Sequence, residues 1–181
     1  DGINFNTGIF TNLSRDHLDY HKTFKEYLKS KLILFKKLMK KNSSIIYDND
    51  IKESKKLKNI SALKKFRNLN IGHKNSYLKI ISHKFINCEQ KIKFLLNNHL
   101  YSFSTELIGK IQIKNILMAI LASHKSNLKL EKIIKSIKDL KPVPGRLEKI
   151  GNLKNNAIVI LDYAHTPEAL KICLKNIHEQ F

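Results

Sequence analysis

The chain has 181 residues, 42% of them apolar, with 34 Lys and Arg against 15 Asp and Glu, a net charge of +19. That is enough for one domain with a real core and part of a second; no run of about 20 apolar residues could span a bilayer. The charge excess is nearly all Lys and is spread along a chain also rich in Asn and Ile. It reads as composition, with no nucleic-acid-binding motif beside it.

"INFNTGIF" predicts a strand leading into "TNLSRDHLDYH" (11–21), an acidic, histidine-bearing knot. Residues 23–41 predict one helix, with Thr23 and Glu26 as a capping-box signature. "SSIIYDND" predicts a short strand closing in a turn, and 51–66 a helix. Residues 77–107 alternate as antiparallel strands, with Asn97-Asn98 as a hairpin turn. Helices are expected over 115–128 and 130–140. "KPVPGRLE" breaks regular structure, and "AIVILDYAHTPEALKICLKNI" predicts a doubly buried parallel strand, a turn and a helix. The fold class is therefore α/β with an antiparallel β insertion.

At about 100° per residue, Phe24, Tyr27, Leu28, Leu32, Leu34, Phe35, Leu38 and Met39 share one broad helix face. Lys31 falls near the centre of that face, between Tyr27 and Phe35. It either snorkels to solvent or lines a site. Desolvation disfavours an ammonium, and a neutral amine can attack carbon dioxide to give a carbamate that binds magnesium through oxygen.

Three further positions invite a ligand. Asp162 ends an apolar strand, and Thr166 and Pro167 open the next helix, so Asp162 suits a ribose and His165 a phosphate. An ordinary strand-to-helix turn explains them as well. Arg146, after a rigid turn, is a phosphate fork or a surface arginine. Asn115 caps its helix or reads a base edge. His17 and His21 stand four apart, but Leu18 occupies the place where a zinc protease needs Glu.

Together, "FTNLSRDHLDYH", "YLKSKLILF", "LIGKIQIKNILMAIL", "PVPGRLE" and "DYAHTPEAL" resemble the Mur ligases, and among them the MurE type. The resemblance implies an ATP-dependent ligase of peptidoglycan precursor synthesis. It would add diaminopimelate or lysine to UDP-MurNAc-L-Ala-D-Glu through an acyl phosphate; the alternatives are another ligase of the superfamily, similar to folylpolyglutamate or cyanophycin synthetase, and a basic nucleic-acid-binding module. By the same resemblance His17 binds Mg²⁺, and a carbamylated Lys31 serves that ion. Asn115 contacts the adenine of ATP, Arg146 reaches its phosphates, Asp162 binds the ribose and His165 lies by the phosphates. Arg15, Asp16, Asp19 and His21 would position these groups.

No G-x-x-x-x-G-K-[ST] loop occurs in the chain. The chain begins at Asp1, without an initiator Met. It is therefore expected to be a fragment: residues 1–150 the later part of the central ATP-binding domain, and 151–181 the first strand and helix of a Rossmann-like C-terminal domain. The fragment alone is expected to be inactive. Cys88 and Cys173 are far apart and suit a reducing cytoplasm. The expected partners are the UDP-MurNAc-dipeptide and an amino acid, with no nucleic acid or membrane, and a monomeric state.

Overall fold

A computed structural model describes residues 3–13 and 22–181. Three strands, β1 (Thr7–Phe10), β2 (Ser44–Tyr47) and β3 (Arg67–Asn68), form a parallel sheet in that order. Parallel neighbours need long crossovers. Helix α1 (Phe24–Lys31) lies in the first and α2 (Ser54–Leu63) in the second. Ile45, Ile46 and Tyr47 have no exposed surface, as expected of a strand covered on both faces. Their alternation divides the interior. Ile45 and Tyr47 join Phe10, Leu28, Phe35 and Leu57, whereas Ile46 joins a second core built on Ile71, Leu78, Phe94 and Leu117.

The helix expected over 23–41 is shorter and interrupted. Thr23 Oγ1 accepts from the Glu26 N–H at 3.2 Å, and α1 ends at Lys31. Leu34–Leu38 then form a π-helical turn, in which Met39 N–H reaches back five residues to Leu34 O at 2.9 Å. The extra residue rotates the face. Phe35 and Met39 point inward, while Leu38, expected on the apolar face, is 52% exposed. This face rests on β1: a Cβ on Gly8 would meet Met39 Sδ at 2.5 Å and Phe35 Cε1 at 2.9 Å, so strand and helix pack in contact there.

Strands β4 (Ile71–Gly72), β5 (Leu78–Ile86), β6 (Glu89–Leu96) and β7 (His99–Thr105) form the second sheet, with β5, β6 and β7 antiparallel. Asn97 and Asn98 both take positive φ, 50° and 63°, at the hairpin turn the sequence predicts. Asn87 and Cys88 repeat that geometry between β5 and β6. A parallel bridge between Asp48 and Ile71 joins the two sheets.

Helix α3 (Lys110–Lys125) starts earlier than expected, and α4 (Leu130–Ser136) follows, with a 3-10 turn at Ile137–Asp139. The last elements are β8 (Glu148–Asn152), β9 (Ile158–Leu161) and α5 (Pro167–Gln180). Here the expectation of a doubly buried parallel strand fails. β9 pairs antiparallel with β8, and Leu161 is 48% exposed. Ile158, Val159 and Ile160 are half-buried in this chain.

Candidate functional site

In α/β sheets ligands gather beyond the carboxyl ends of parallel strands. Thr11 and Asn12 follow β1 at that end. Lys31, on the last turn of α1, is half-buried, and its Nζ donates to Asn12 O at 3.0 Å while lying 4.9 Å from the Tyr27 ring centroid. The ammonium is therefore turned onto the segment leaving β1. Asn115, on the second turn of α3, lines a cavity of about 330 Å³ with Ile9, Thr11, Asn12 and Met118. It does not cap α3, because Gly109 holds the cap position and Asn115 lies inside the helix. Lys31 and Asn115 thus converge on the same short segment. His17 lies outside the described residues, as do Arg15, Asp16, Asp19 and His21.

One ion pair nearby has no counterpart in the sequence expectations. Asp48, next after β2 and 1% exposed, pairs through Oδ2 with Lys114 Nζ, and its Oδ1 accepts from the Asp50 N–H at 2.9 Å. Asp50 in turn holds His73 Nδ1 at 2.6 Å. The sequence signal was a carboxylate at the end of an apolar strand.

The second group forms after β9. The Asp162 carboxylate accepts from the Leu147 N–H through Oδ2 and from the Ala164 N–H through Oδ1, both at 2.9 Å. Tyr163 N–H donates to Gly145 O at 2.8 Å. These bonds join the 142–147 turn to the 162–166 turn and hold Leu147 at a φ of +48°. The joined turns align three side chains. The Arg146 guanidinium lies 5.2 Å from the Tyr163 ring centroid, and that ring meets His165 edge-on at 4.9 Å. His165 Nδ1 is 3.0 Å from Tyr163 O; a carbonyl only accepts, so Nδ1 carries the proton. Thr166 Oγ1 accepts from the Ala169 N–H at 3.2 Å and Pro167 opens α5, as the sequence predicts. Burial pushes the nearby Cys173 thiol up from its ordinary value, and the charge and hydrogen bond of Asp162 add to that.

Arg146, Asp162 and His165 therefore stand together, and Tyr163 is the member the sequence reading passed over. Among the described residues no three His, Cys, Asp or Glu side chains gather as a metal site, and no helix is long and apolar enough to cross a membrane.

Parallel strands with polar side chains at their carboxyl ends define an α/β domain of the ligand-binding kind. The chain belongs to the Mur ligase family: the Mur ligase middle domain matches residues 1–123. It is 36% identical over 178 residues to a protein of Rickettsia montanensis named UDP-N-acetylmuramoyl-L-alanyl-D-glutamate--2,6-diaminopimelate ligase, covering 97% of this chain and 36% of that protein. The fold matches a solved structure of a ligase of the same name, with a TM-score of 0.78 at 22% identity, over 97% of this chain and 36% of the other. It also matches MurF ligase from Thermotoga maritima in complex with ADP, with a TM-score of 0.78 at 16% identity, over 96% of this chain and 39% of the other. The chain thus spans a little over a third of the length of these proteins.

Proposed function

We propose that residues 1–150 are the later part of the central domain, and 151–181 the start of the C-terminal domain, of an ATP-dependent ligase. This enzyme joins diaminopimelate to UDP-MurNAc-L-Ala-D-Glu in the cytoplasm. The observation that carries the reading is the 36% identity across 97% of the chain to a ligase of that name. The ADP complex of the Thermotoga relative supports a nucleotide in this fold.

In this reading the γ-phosphoryl group of ATP passes to the D-glutamate carboxylate and ADP leaves. The amine then attacks the carbonyl carbon of the acyl phosphate, the bond to the phosphate oxygen breaks, and the amine proton is released. The side chains act by position and charge. Asn115, in its cavity beside Asn12, takes the adenine edge. Arg146, resting on Tyr163, offers its planar fork to phosphate oxygens. His165 stands at the N-terminus of α5, where backbone N–H groups favour anions. Asp162 takes the ribose through carboxylate lone pairs not used on Leu147 and Ala164.

A Mg²⁺ ion would offset charge on the phosphate oxygens. An ammonium cannot ligate a cation, so Lys31 fits such an ion only as its carbamate, with His17 as the second ligand.

The test is ADP release by the full-length enzyme. Release that needs both the UDP-dipeptide and diaminopimelate is the expected result. Release driven instead by a folate and glutamate would transfer the chain to the folylpolyglutamate synthetases, and no release with either would overturn the ligase reading.

A further inference from the structure

The first N–H groups of a helix need acceptors from outside it. Helix α3 opens on Gly109, which has no side chain to offer and a φ of +95°. Its acceptors come from the far end of the chain. The Gly109 N–H donates to Gln180 Oε1 at 3.0 Å and the Lys110 N–H to Asn176 Oδ1 at 2.8 Å. Both side chains belong to α5, and both are buried. Their amide nitrogens are used as well: Gln180 Nε2 donates to Cys88 O at 2.8 Å, and Asn176 Nδ2 to Ile172 O at 2.7 Å. The Gly109 carbonyl accepts from Gln90 Nε2 at 3.1 Å, and Lys110 Nζ pairs with Glu179 at 3.0 Å. A Cβ on Gly109 would meet Leu147 Cδ1 at 2.7 Å, so the junction also touches the turn that carries Arg146.

The two groups of site residues are thereby connected. Helix α3 carries Asn115 five residues beyond Lys110. Helix α5, 14 residues long, carries the clamp at its C-terminal end and follows directly on Asp162–His165 at its other end. At 1.5 Å per residue the arm from Asn176 and Gln180 to Pro167 is about 14–20 Å, so a 10° tilt at the clamp moves the far end by about 2–3 Å. Displacements of 1 Å already matter for positioned groups.

We propose that Asn176 and Gln180 are positioning residues: by capping α3 they fix α5, and with it Arg146, Asp162 and His165, relative to Asn115. This rests on the ATP-ligase reading above. The experiment uses the full-length enzyme, with Gln180→Met as the disrupting variant and Gln180→Glu as an intermediate one, which keeps an acceptor for the Gly109 N–H but has no donor for Cys88 O. Hydrogen exchange reads the Gly109 and Lys110 amides, and steady-state kinetics read the KM for ATP separately from kcat.

Gln180→Met loses the bonds to both the Gly109 N–H and Cys88 O, and is expected to speed exchange at Gly109 by about tenfold or more and to raise the KM for ATP by about tenfold. Gln180→Glu keeps the bond to the Gly109 N–H but loses the one to Cys88 O, so it should fall between wild type and Gln180→Met in both. Should Gln180→Met fail to fold, Asn176→Ser makes the same test at the Lys110 amide. Unchanged exchange in the disrupting variant overturns the clamp. Faster exchange with the KM for ATP within about twofold of wild type overturns the positioning role, leaving a cap that only stabilises. A wild-type enzyme that does not consume ATP overturns the ligase reading and the positioning role with it, while the exchange data still report on the clamp.

Discussion

Replacing Lys114 by Met tests whether the Asp48–Lys114 pair holds α3 against the first sheet. Met keeps most of the aliphatic stem and removes the charge. Asp48 is 1% exposed, and after the change its Oδ2 has lost its partner while Oδ1 keeps the Asp50 N–H. Breaking a fully buried pair from one side costs about 3–5 kcal/mol. The Lys114 side chain is 34% exposed, so water reaches the vacated position, and we expect about 2–3 kcal/mol instead. With a urea m-value of about 2 kcal/mol/M, the midpoint falls by about 1–1.5 M. Asp48→Asn removes the charge and still offers Asp50 an acceptor, so it should cost less, about 1–2 kcal/mol. The double variant should then lose less than the sum of the singles by about 1–2 kcal/mol. The assay is urea unfolding followed by far-UV circular dichroism. A midpoint shift under about 0.3 M for Lys114→Met, or strict additivity in the double variant, refutes the reasoning.

Lys31→Ala in the full-length enzyme should abolish ligase activity, and small carboxylates added to the assay should restore part of it; wild-type rates in the variant would end the carbamate assignment. Asp162→Asn replaces one acceptor oxygen by an amide nitrogen facing a backbone N–H, so exchange at Leu147 or Ala164 should rise about tenfold before any nucleotide is added. Protection equal to wild type at both amides would leave Asp162 no structural part. Burial holds the His83 imidazole below its ordinary value of 6.5, so below that pH the unfolded chain binds more protons. Stability should therefore decline as pH falls from 6.5 through the lower folded value, and His83→Gln should flatten that slope; equal slopes would contradict it. Exposed Cys88 should react with a thiol reagent at neutral pH well before Cys173, which is buried and has its thiol pushed up, and equal rates in the folded protein would count against that packing.

Local signals in the sequence were legible where the residues that make them are neighbours. Thr23 and Thr166 cap the helices they were expected to cap, and Asn97-Asn98 makes its hairpin. Lys31 stood out because it interrupts an apolar face, yet its partner is a backbone carbonyl, which no side-chain pattern reveals. The π-helical turn was hidden because the residues from 23 to 41 fit a 3.6-residue period; it sets Phe35 and Met39 against Gly8, a tertiary contact that no local pattern marks. The turn at Asn87-Cys88 escaped because Cys is not a turn residue. The start of α3 was hidden for a deeper reason: its caps lie 66 and 71 residues further along the chain. In β9 the apolar run was read as burial on two faces, whereas its partner β8 is a charged, glycine-containing segment.

The same contrast explains why net charge is a poor guide to this chain. A charge of +19 invites a polyanion. Four cations are marked instead by their partners: Lys31 on Asn12 O, Lys110 on Glu179, Lys114 on Asp48 and Arg146 over Tyr163. Three of these lie on α1 and α3, the helices that meet the segment after β1, and the fourth lies on the turn that Asp162 pins. A surface lysine adds only a screened, non-directional field. A cation held at a known atom adds direction as well, and direction is what a phosphate or a carboxylate reads. Charge-neutralising other lysines on the surface should therefore leave nucleotide binding nearly unchanged, whereas moving Lys31 or Arg146 should weaken it, as read by titration of the full-length enzyme with ATP.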